Sequence, residues 1–136
     1  MAVTPIYAGL LALLYLLLSY RVVQSRGHGR PSLGDGGDQD LLRRIRGHGN
    51  FAEYVPLLLL MIAMLEFNHL PVYLLHALGI TLLIARLLHG YALSFTESFK
   101  FGRFWGTALT FLLLLVCGVL SLYQAAMPHL LSAPGA

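Results

Sequence analysis

Three polar residues in the segment RIRGHGNFAEYVP (residues 44–56) have the types and spacing to bind one ligand together. Arg46 is followed four residues later by Asn50 and three residues after that by Glu53. At about 100° per residue, the three side chains fall within an arc of about 60° on one face of a helix. A cation, an amide and a carboxylate on one face can hold a zwitterionic or anionic ligand through charge-assisted hydrogen bonds.

Of the three residues on this face, Glu53 is the hardest to explain by a position in the headgroup layer. About 12 apolar residues follow it, so a helix long enough to cross a bilayer must carry Glu53 into the membrane. A carboxylate at that depth is unfavourable unless it faces protein and meets a partner. Arg46 lies two turns earlier and cannot reach it within one helix. The partner must therefore come from another helix, another subunit or a ligand.

A second polar group lies in the segment IARLLHGYA (residues 84–92), where Arg86 and His89 are three residues apart and share a side of the helix. Two readings follow. Arg86 forms a structural salt bridge with Glu53, or the two helices line a pocket for a small zwitterionic or anionic ligand. Arg43 and Arg44, by contrast, are better read as flanking residues that reach into the headgroup layer.

The elements that must position these groups are four hydrophobic segments, at about residues 3–22, 40–66, 70–95 and 103–127. The chain is 57% hydrophobic and only 11% charged, whereas a soluble domain averages about 25% charged residues. We predict an all-α membrane protein, a four-transmembrane-helix bundle that forms a single domain over residues 1–136. Asp38 or Asp40 is placed to cap the second helix.

The basic residues predict the orientation of the bundle. All of them lie in or beside the first and third loops: Arg21, Arg26, Arg30, Arg43, Arg44, Arg46, Arg86, Lys100 and Arg103. The positive-inside rule then places these loops in the cytoplasm and both termini on the non-cytoplasmic side. Because topology accounts for the basic residues, nucleic acid is not an expected partner.

Several other kinds of site are not expected. His69 and His76 share no metal-ligand spacing with an acid or a cysteine, so we predict no metal site. Cys117 is the single cysteine, which excludes an intrachain disulfide. Polar residues gathered at one end of the spans do not form a path across the membrane, which disfavours a transporter or channel. Four short spans bury little surface within one subunit. A homo-oligomer, in which subunits bury their polar faces against one another, is therefore favoured.

The two polar segments together resemble the signatures of the MAPEG family, the membrane-associated proteins in eicosanoid and glutathione metabolism. The second-helix signature is matched by Arg46, Asn50, Glu53, Tyr54 and Pro56, and the third-helix signature by Ala85, Arg86 and His89. The resemblance covers nearly the whole chain. With its GDGG loop, the chain is similar to the small bacterial branch of the family, which implies the bacterial inner membrane.

The resemblance implies a homotrimer that binds glutathione between subunits near the cytoplasmic side. The residues that it assigns to glutathione are Arg26, Arg46, Asn50, Glu53, Tyr54 and His89. Glu53 would take the amine of the tripeptide, and Arg46 or Arg26 would take a carboxylate. Arg86 would be more structural.

The resemblance further implies a glutathione transferase or peroxidase that acts on a lipophilic electrophile or hydroperoxide arriving from the lipid. Arg103 matches the arginine that stabilises the thiolate in catalytic members, with Lys100 a weaker candidate. Many members carry a tyrosine one turn after the position of His89, where this chain has Leu93. The family also includes a non-catalytic member that binds lipid, so the alternative is a lipid-binding or scaffold membrane protein of the same fold.

Overall fold

Four long helices make up nearly all of the ordered structure. The computed structural model describes residues 2–27 and 33–131, with side chains described up to residue 127. The helices are α1 (Thr4–Arg26), α2 (Gln39–Phe67), α3 (Val72–Ser94) and α4 (Lys100–Leu131). Each contains a stretch long and apolar enough to span a membrane. The predicted all-α architecture with four spanning helices is confirmed.

The helices α2 and α3 form the centre of the bundle. They pack against each other, and each also packs against α1 and α4, whereas α1 and α4 pack only against this central pair. The interface between α3 and α4 is the most extensive one. The helices α2, α3 and α4 all contact one another, whereas α1 and α4 lie on different sides of the central pair.

The hydrophobic pattern of the helices matches a lipid environment. The interior is aliphatic, with residues such as Leu11, Leu58, Ile62 and Leu82 almost fully buried. The outer surface is also apolar, and many large side chains are exposed on it, among them Leu13, Leu16, Val23, Leu115, Val119 and Leu122. A helix that is apolar on all sides is stable only where its outer face contacts lipid or other protein.

Asp38 begins α2. Its Oδ1 accepts hydrogen bonds from the backbone N–H groups of Asp40, at 2.9 Å, and Leu41, at 3.0 Å. These are N–H groups that the first turn of a helix leaves without partners. Of the two predicted caps, Asp38 is the one that the structure shows. Asp40 instead forms ion pairs with Arg43 and Arg44, at 3.1 and 2.8 Å.

Glu66 stabilises the beginning of α1 from the other end of α2. Its carboxylate accepts hydrogen bonds from the N–H groups of Val3, at 2.9 Å, and Thr4, at 2.8 Å, and also from that of Ala2. A carboxylate at a helix N-terminus satisfies free N–H groups and interacts favourably with the helix dipole. The sequence did not indicate this cap, because a carboxylate supplied from more than sixty residues away leaves no local pattern.

We expect Glu66→Gln to lower the Tm of the detergent-purified protein by a few degrees. The amide keeps one acceptor oxygen but loses the charge, and loss of a helix cap costs about 1 kcal/mol. Differential scanning fluorimetry measures this change. Glu97→Gln is the matched control, since Glu97 is an exposed loop acid whose contact with Arg43 is a surface ion pair. An unchanged Tm in Glu66→Gln would contradict the capping role.

A close approach of α3 and α4 at Gly106 decides where His89 lies. A Cβ atom at position 106 would lie 2.7 Å from Cβ of His89 and 2.8 Å from the carbonyl oxygen of Ala85. Only glycine allows the two backbones to come so near without a shift. The contact holds the C-terminal half of α3 tightly against the first turns of α4.

Candidate functional site

A cavity of about 460 Å³ opens between α2, α3 and α4 near the beginning of α2. It is within the range of about 300–1,000 Å³ that small-molecule sites occupy. Six of the ten residues that form its wall are charged or polar. The wall consists of Leu42, Arg43, Ile45, Arg46, Gly49, Asn50, Glu53, His89, Leu93 and Arg103.

The helix α2 contributes the largest part of the wall as one stripe. Arg46, Asn50 and Glu53, which the helical arc predicts to share a face, all line the cavity. Arg43, one turn earlier on the same stripe, lines it as well. The spacing of three from Arg46 puts Arg43 on this stripe, although the sequence favoured a position in the headgroup layer for it.

Arg43 also connects the cavity to the loop after α3. Its guanidinium group lies 3.1 Å from Asp40 and 3.4 Å from Glu97, which follows α3 and is largely exposed. The first and third loops therefore meet at the same end of the bundle. Arg44, beside it, turns away from the cavity and contacts Asp40 and the backbone carbonyl of Arg21.

The other two helices supply the remaining polar groups of the wall. His89 of α3 is almost fully buried in the protein and lines the cavity, and Leu93 follows it one turn later. Arg103, in the first turn of α4, completes the wall, whereas Lys100 in the same turn is exposed and does not line it. Of the two basic residues considered for thiolate stabilisation, the structure brings only Arg103 to the cavity.

The cavity is rich in positive charge and holds one free acid. Three guanidinium groups line it, from Arg43, Arg46 and Arg103, against the single carboxylate of Glu53. Within residues 2–27 and 33–131, neither Arg46 nor Glu53 nor Arg103 takes part in an ion pair. The wall can therefore bind carboxylate groups of a ligand and, at Glu53, an ammonium group.

The position of Glu53 along α2 makes an unpaired carboxylate costly. At 1.5 Å per residue, the segment 54–67 that follows it rises only about 21 Å, so a hydrocarbon core of about 30 Å also takes in roughly the preceding two turns. The side chain is nevertheless exposed on the surface of the protomer. A ligand or a second subunit that reaches this carboxylate would remove the cost.

The predicted salt bridge between Glu53 and Arg86 is wrong for the described residues of one protomer. Arg86 is 1% exposed, and it donates hydrogen bonds to Asn50 Oδ1 at 2.9 Å, to the carbonyl oxygen of Gly106 at 3.2 Å and to Thr110 Oγ1. The side chain of Arg86 extends into the core between α2, α3 and α4, whereas Glu53 lies at the surface. The alternative that the sequence left open, a pocket between the helices, has the cavity as its structural counterpart.

Two predicted binding residues do not line the cavity. Arg26 is the last residue of α1, the helix that does not pack against α4. Tyr54 is adjacent to Glu53, but its ring packs against Phe111 of α4, with ring centroids 6.0 Å apart. His48 faces the other side of α2, as the helical arc predicts, and stacks on Tyr15 of α1 with centroids 4.7 Å apart.

Comparison with known proteins gives one family and one curated relative in two strains. The sequence profile of the MAPEG family matches residues 4–123. The chain is 40% identical over 89 residues to "Inner membrane protein YecN" of Escherichia coli strain K12 and equally to the protein of the same name in E. coli O6:H1. The alignment covers 65% of this chain and 68% of the relative. No solved structure matches the chain.

Proposed function

The chain belongs to the MAPEG family, and on that premise we propose that its cavity binds glutathione and that it transfers this thiol to a lipophilic electrophile or uses it to reduce a lipophilic hydroperoxide. It is a multi-pass membrane protein of a family of glutathione and eicosanoid metabolism. The observation that carries the proposal is the wall of the cavity, where the free carboxylate of Glu53 lies among arginines.

The charges of this wall fit those of glutathione. The tripeptide carries one ammonium group, two carboxylates and a thiol. Glu53 is the one acid of the wall and can bind the ammonium group, while Arg43 and Arg46 on the same stripe can bind carboxylates. Because a guanidinium group presents planar paired donors, it suits carboxylates better than the ammonium group of a lysine does.

Arg103 is the residue that we propose to activate the thiol. Glutathione supplies the nucleophilic sulfur when bound. A cation at the wall stabilises the thiolate over the thiol, which raises the fraction of reactive nucleophile. The sulfur then bonds to the electrophilic carbon of the second substrate, whose leaving group departs with the electron pair. Arg103 lines the cavity and has no ion pair with any residue that the structure describes, so its charge is free for this role.

A homotrimer would complete the site. Arg26 ends α1, which does not pack against α4, so we propose that Arg26 reaches the glutathione of a neighbouring subunit. The neighbour would also cover Glu53 from the lipid. The positive charge of the first and third loops supports a cavity on the cytoplasmic side of the bacterial inner membrane. A water-soluble tripeptide would then enter from solvent and the second substrate from the bilayer.

A thermal shift with glutathione tests the proposal on the wild-type protein in detergent. We expect reduced glutathione at millimolar concentration to raise the Tm in a saturable way, because a ligand that binds only the folded state stabilises it. Cysteine at the same concentration is the control, since it lacks the second carboxylate. The proposal also predicts turnover with a generic electrophile such as 1-chloro-2,4-dinitrobenzene. A protein that shows no saturable shift with glutathione would refute it.

One observation favours the alternative of a lipid-binding or scaffold protein without chemistry. Leu93 lies on the wall one turn after His89, where many members of the family carry a tyrosine. Leu93 is held close to α2, because a Cβ atom at Gly47 would lie 3.1 Å from the Cβ of Leu93. The wall therefore has no hydroxyl donor at that point. Co-purified lipid, together with no turnover and no glutathione shift, would support this alternative.

A further inference from the structure

Asn50 lines the cavity and also contacts a buried residue of the core, Arg86. Its side chain lines the cavity, and its Oδ1 accepts a hydrogen bond of 2.9 Å from Nη1 of Arg86. In a side-chain amide, the acceptor oxygen and the donor nitrogen lie in one plane and point in different directions from the carbonyl carbon. Because Arg86 can only donate, it determines which side of the amide faces the core.

Since its Oδ1 faces Arg86, Asn50 can direct its amide nitrogen to the cavity. That nitrogen has no hydrogen-bond partner among the described residues, and the side chain is only half-buried. Its two N–H groups are donors, so a ligand atom that meets them must be an acceptor. Together with the guanidinium groups of Arg43 and Arg46, the amide makes this part of the wall selective for carboxylate or carbonyl oxygens.

Arg86 is well placed to hold this orientation. It is 1% exposed, and it also donates to the carbonyl oxygen of Gly106 and to Thr110 Oγ1, both on α4. None of its acceptors is a carboxylate. Nη2 of the guanidinium group makes both contacts to α4, and Nη1 donates to Asn50. A buried side chain held by three hydrogen bonds has little freedom to move.

We propose that Arg86 is a positioning residue that fixes the amide of Asn50 so that its N–H groups face the cavity and bind a carboxylate or carbonyl oxygen of the ligand. Arg86 does not line the cavity and acts on the ligand through Asn50. The proposal rests on glutathione being the ligand. The contacts of Arg86 to Gly106 and Thr110 would be enough for a purely structural role. The proposal adds an effect of Arg86 on ligand binding.

Asn50→Asp tests the proposal most directly. The carboxylate keeps an acceptor for Arg86 and gains an ion pair with it, but it presents an acceptor to the cavity in place of the donors. We expect the affinity for glutathione to fall about tenfold or more, while the Tm of the ligand-free protein stays at or above that of the wild type. Isothermal titration calorimetry and scanning fluorimetry measure the two quantities. An affinity within about twofold of the wild type would overturn the proposal.

A double-mutant cycle tests whether Arg86 acts through Asn50. We expect Asn50→Ala and Arg86→Met each to weaken glutathione binding, and the double variant to bind no more than about twofold more weakly than Asn50→Ala alone. Thr110→Val is the matched control for the structural role of Arg86. It removes another partner of the guanidinium group outside the cavity, so it should lower the Tm and leave the affinity within about twofold of the wild type.

The outcomes separate this proposal from the proposed function. If the wild type binds no glutathione, both are overturned. If the wild type binds glutathione but the effects of Asn50→Ala and Arg86→Met on affinity add fully, Arg86 is not acting through Asn50 and only the positioning role is overturned. If Arg86→Met does not fold, Asn50→Asp decides the matter, because that variant retains the contact with Arg86.

Discussion

Replacing Glu53 with alanine is expected to abolish most of the binding of glutathione. Glu53 is the one carboxylate of the cavity wall, so no other side chain of the wall can pair with the ammonium group of the tripeptide. A hydrogen bond to a charged group contributes about 1.5–3 kcal/mol, which corresponds to a loss of affinity of roughly 10- to 100-fold. The thermal shift that glutathione causes in the wild type should then disappear at the same concentration.

Glu53→Ala should weaken glutathione binding but should not lower the stability of the ligand-free protein. Glu53 is exposed and has no ion pair among the described residues, and the length of the apolar segment after it places it at membrane depth. Removing an unpaired carboxylate from such a position relieves a desolvation cost. We therefore expect the Tm of Glu53→Ala without glutathione to equal or exceed that of the wild type, measured in the same detergent.

Glu97→Ala is the matched control for this prediction. Glu97 is an acid at the same end of the bundle, but it lies outside the wall and forms a surface ion pair with Arg43. Its removal takes away one ion pair of Arg43 and leaves the one with Asp40, so the affinity for glutathione should stay the same or rise slightly. A glutathione shift in Glu53→Ala as large as in the wild type, with the fold retained, would show that the amine is bound elsewhere.

The second large effect is expected for Arg103→Ala, in turnover rather than in binding. A fixed donor that stabilises developing or full negative charge in an active site contributes about 10²- to 10³-fold to the rate. We expect kcat with a generic electrophile to fall by roughly this factor, and the ultraviolet absorbance of bound thiolate to be lost. The KM for glutathione should change much less, because Glu53 and the arginines of α2 remain.

Lys100→Ala distinguishes the two basic residues of the first turn of α4. Lys100 is exposed and does not line the cavity, so its removal should leave kcat within about twofold of the wild type, as for a surface substitution. Arg103→Lys is the conservative variant and should recover part of the lost rate by restoring a cation. Normal thiolate absorbance in Arg103→Ala would contradict the role of Arg103, and a large loss in Lys100→Ala would reassign it.

The polar stripe of α2 could be predicted from the sequence because its geometry is local. Within one helix, the angular positions of Arg46, Asn50 and Glu53 follow from the number of residues per turn alone. The same periodicity placed His48 on the opposite side, where it stacks on Tyr15. The pattern could not show what faces the stripe, since the distance between two helices depends on the side chains at their contact.

The hydrogen-bond partners of Arg86 could not be predicted from the sequence. An arginine and a glutamate at similar depth suggest an ion pair, yet Arg86 donates to Asn50 on α2 and to Gly106 and Thr110 on α4. The close contact of α3 and α4 at Gly106 brings backbone carbonyls within reach of the guanidinium group. Neither the glycine contact nor the direction of a long side chain is encoded in spacing along one helix.

The sequence by itself determined the four spanning helices and the family, because hydrophobic length and short motifs are local properties of the chain. Only the tertiary structure decided that Arg103 and not Lys100 reaches the cavity, that Glu66 caps α1 and that Arg86 binds Asn50. Each of these depends on how helices far apart in the sequence pack against one another, and packing distances of a few ångströms decide which polar groups meet.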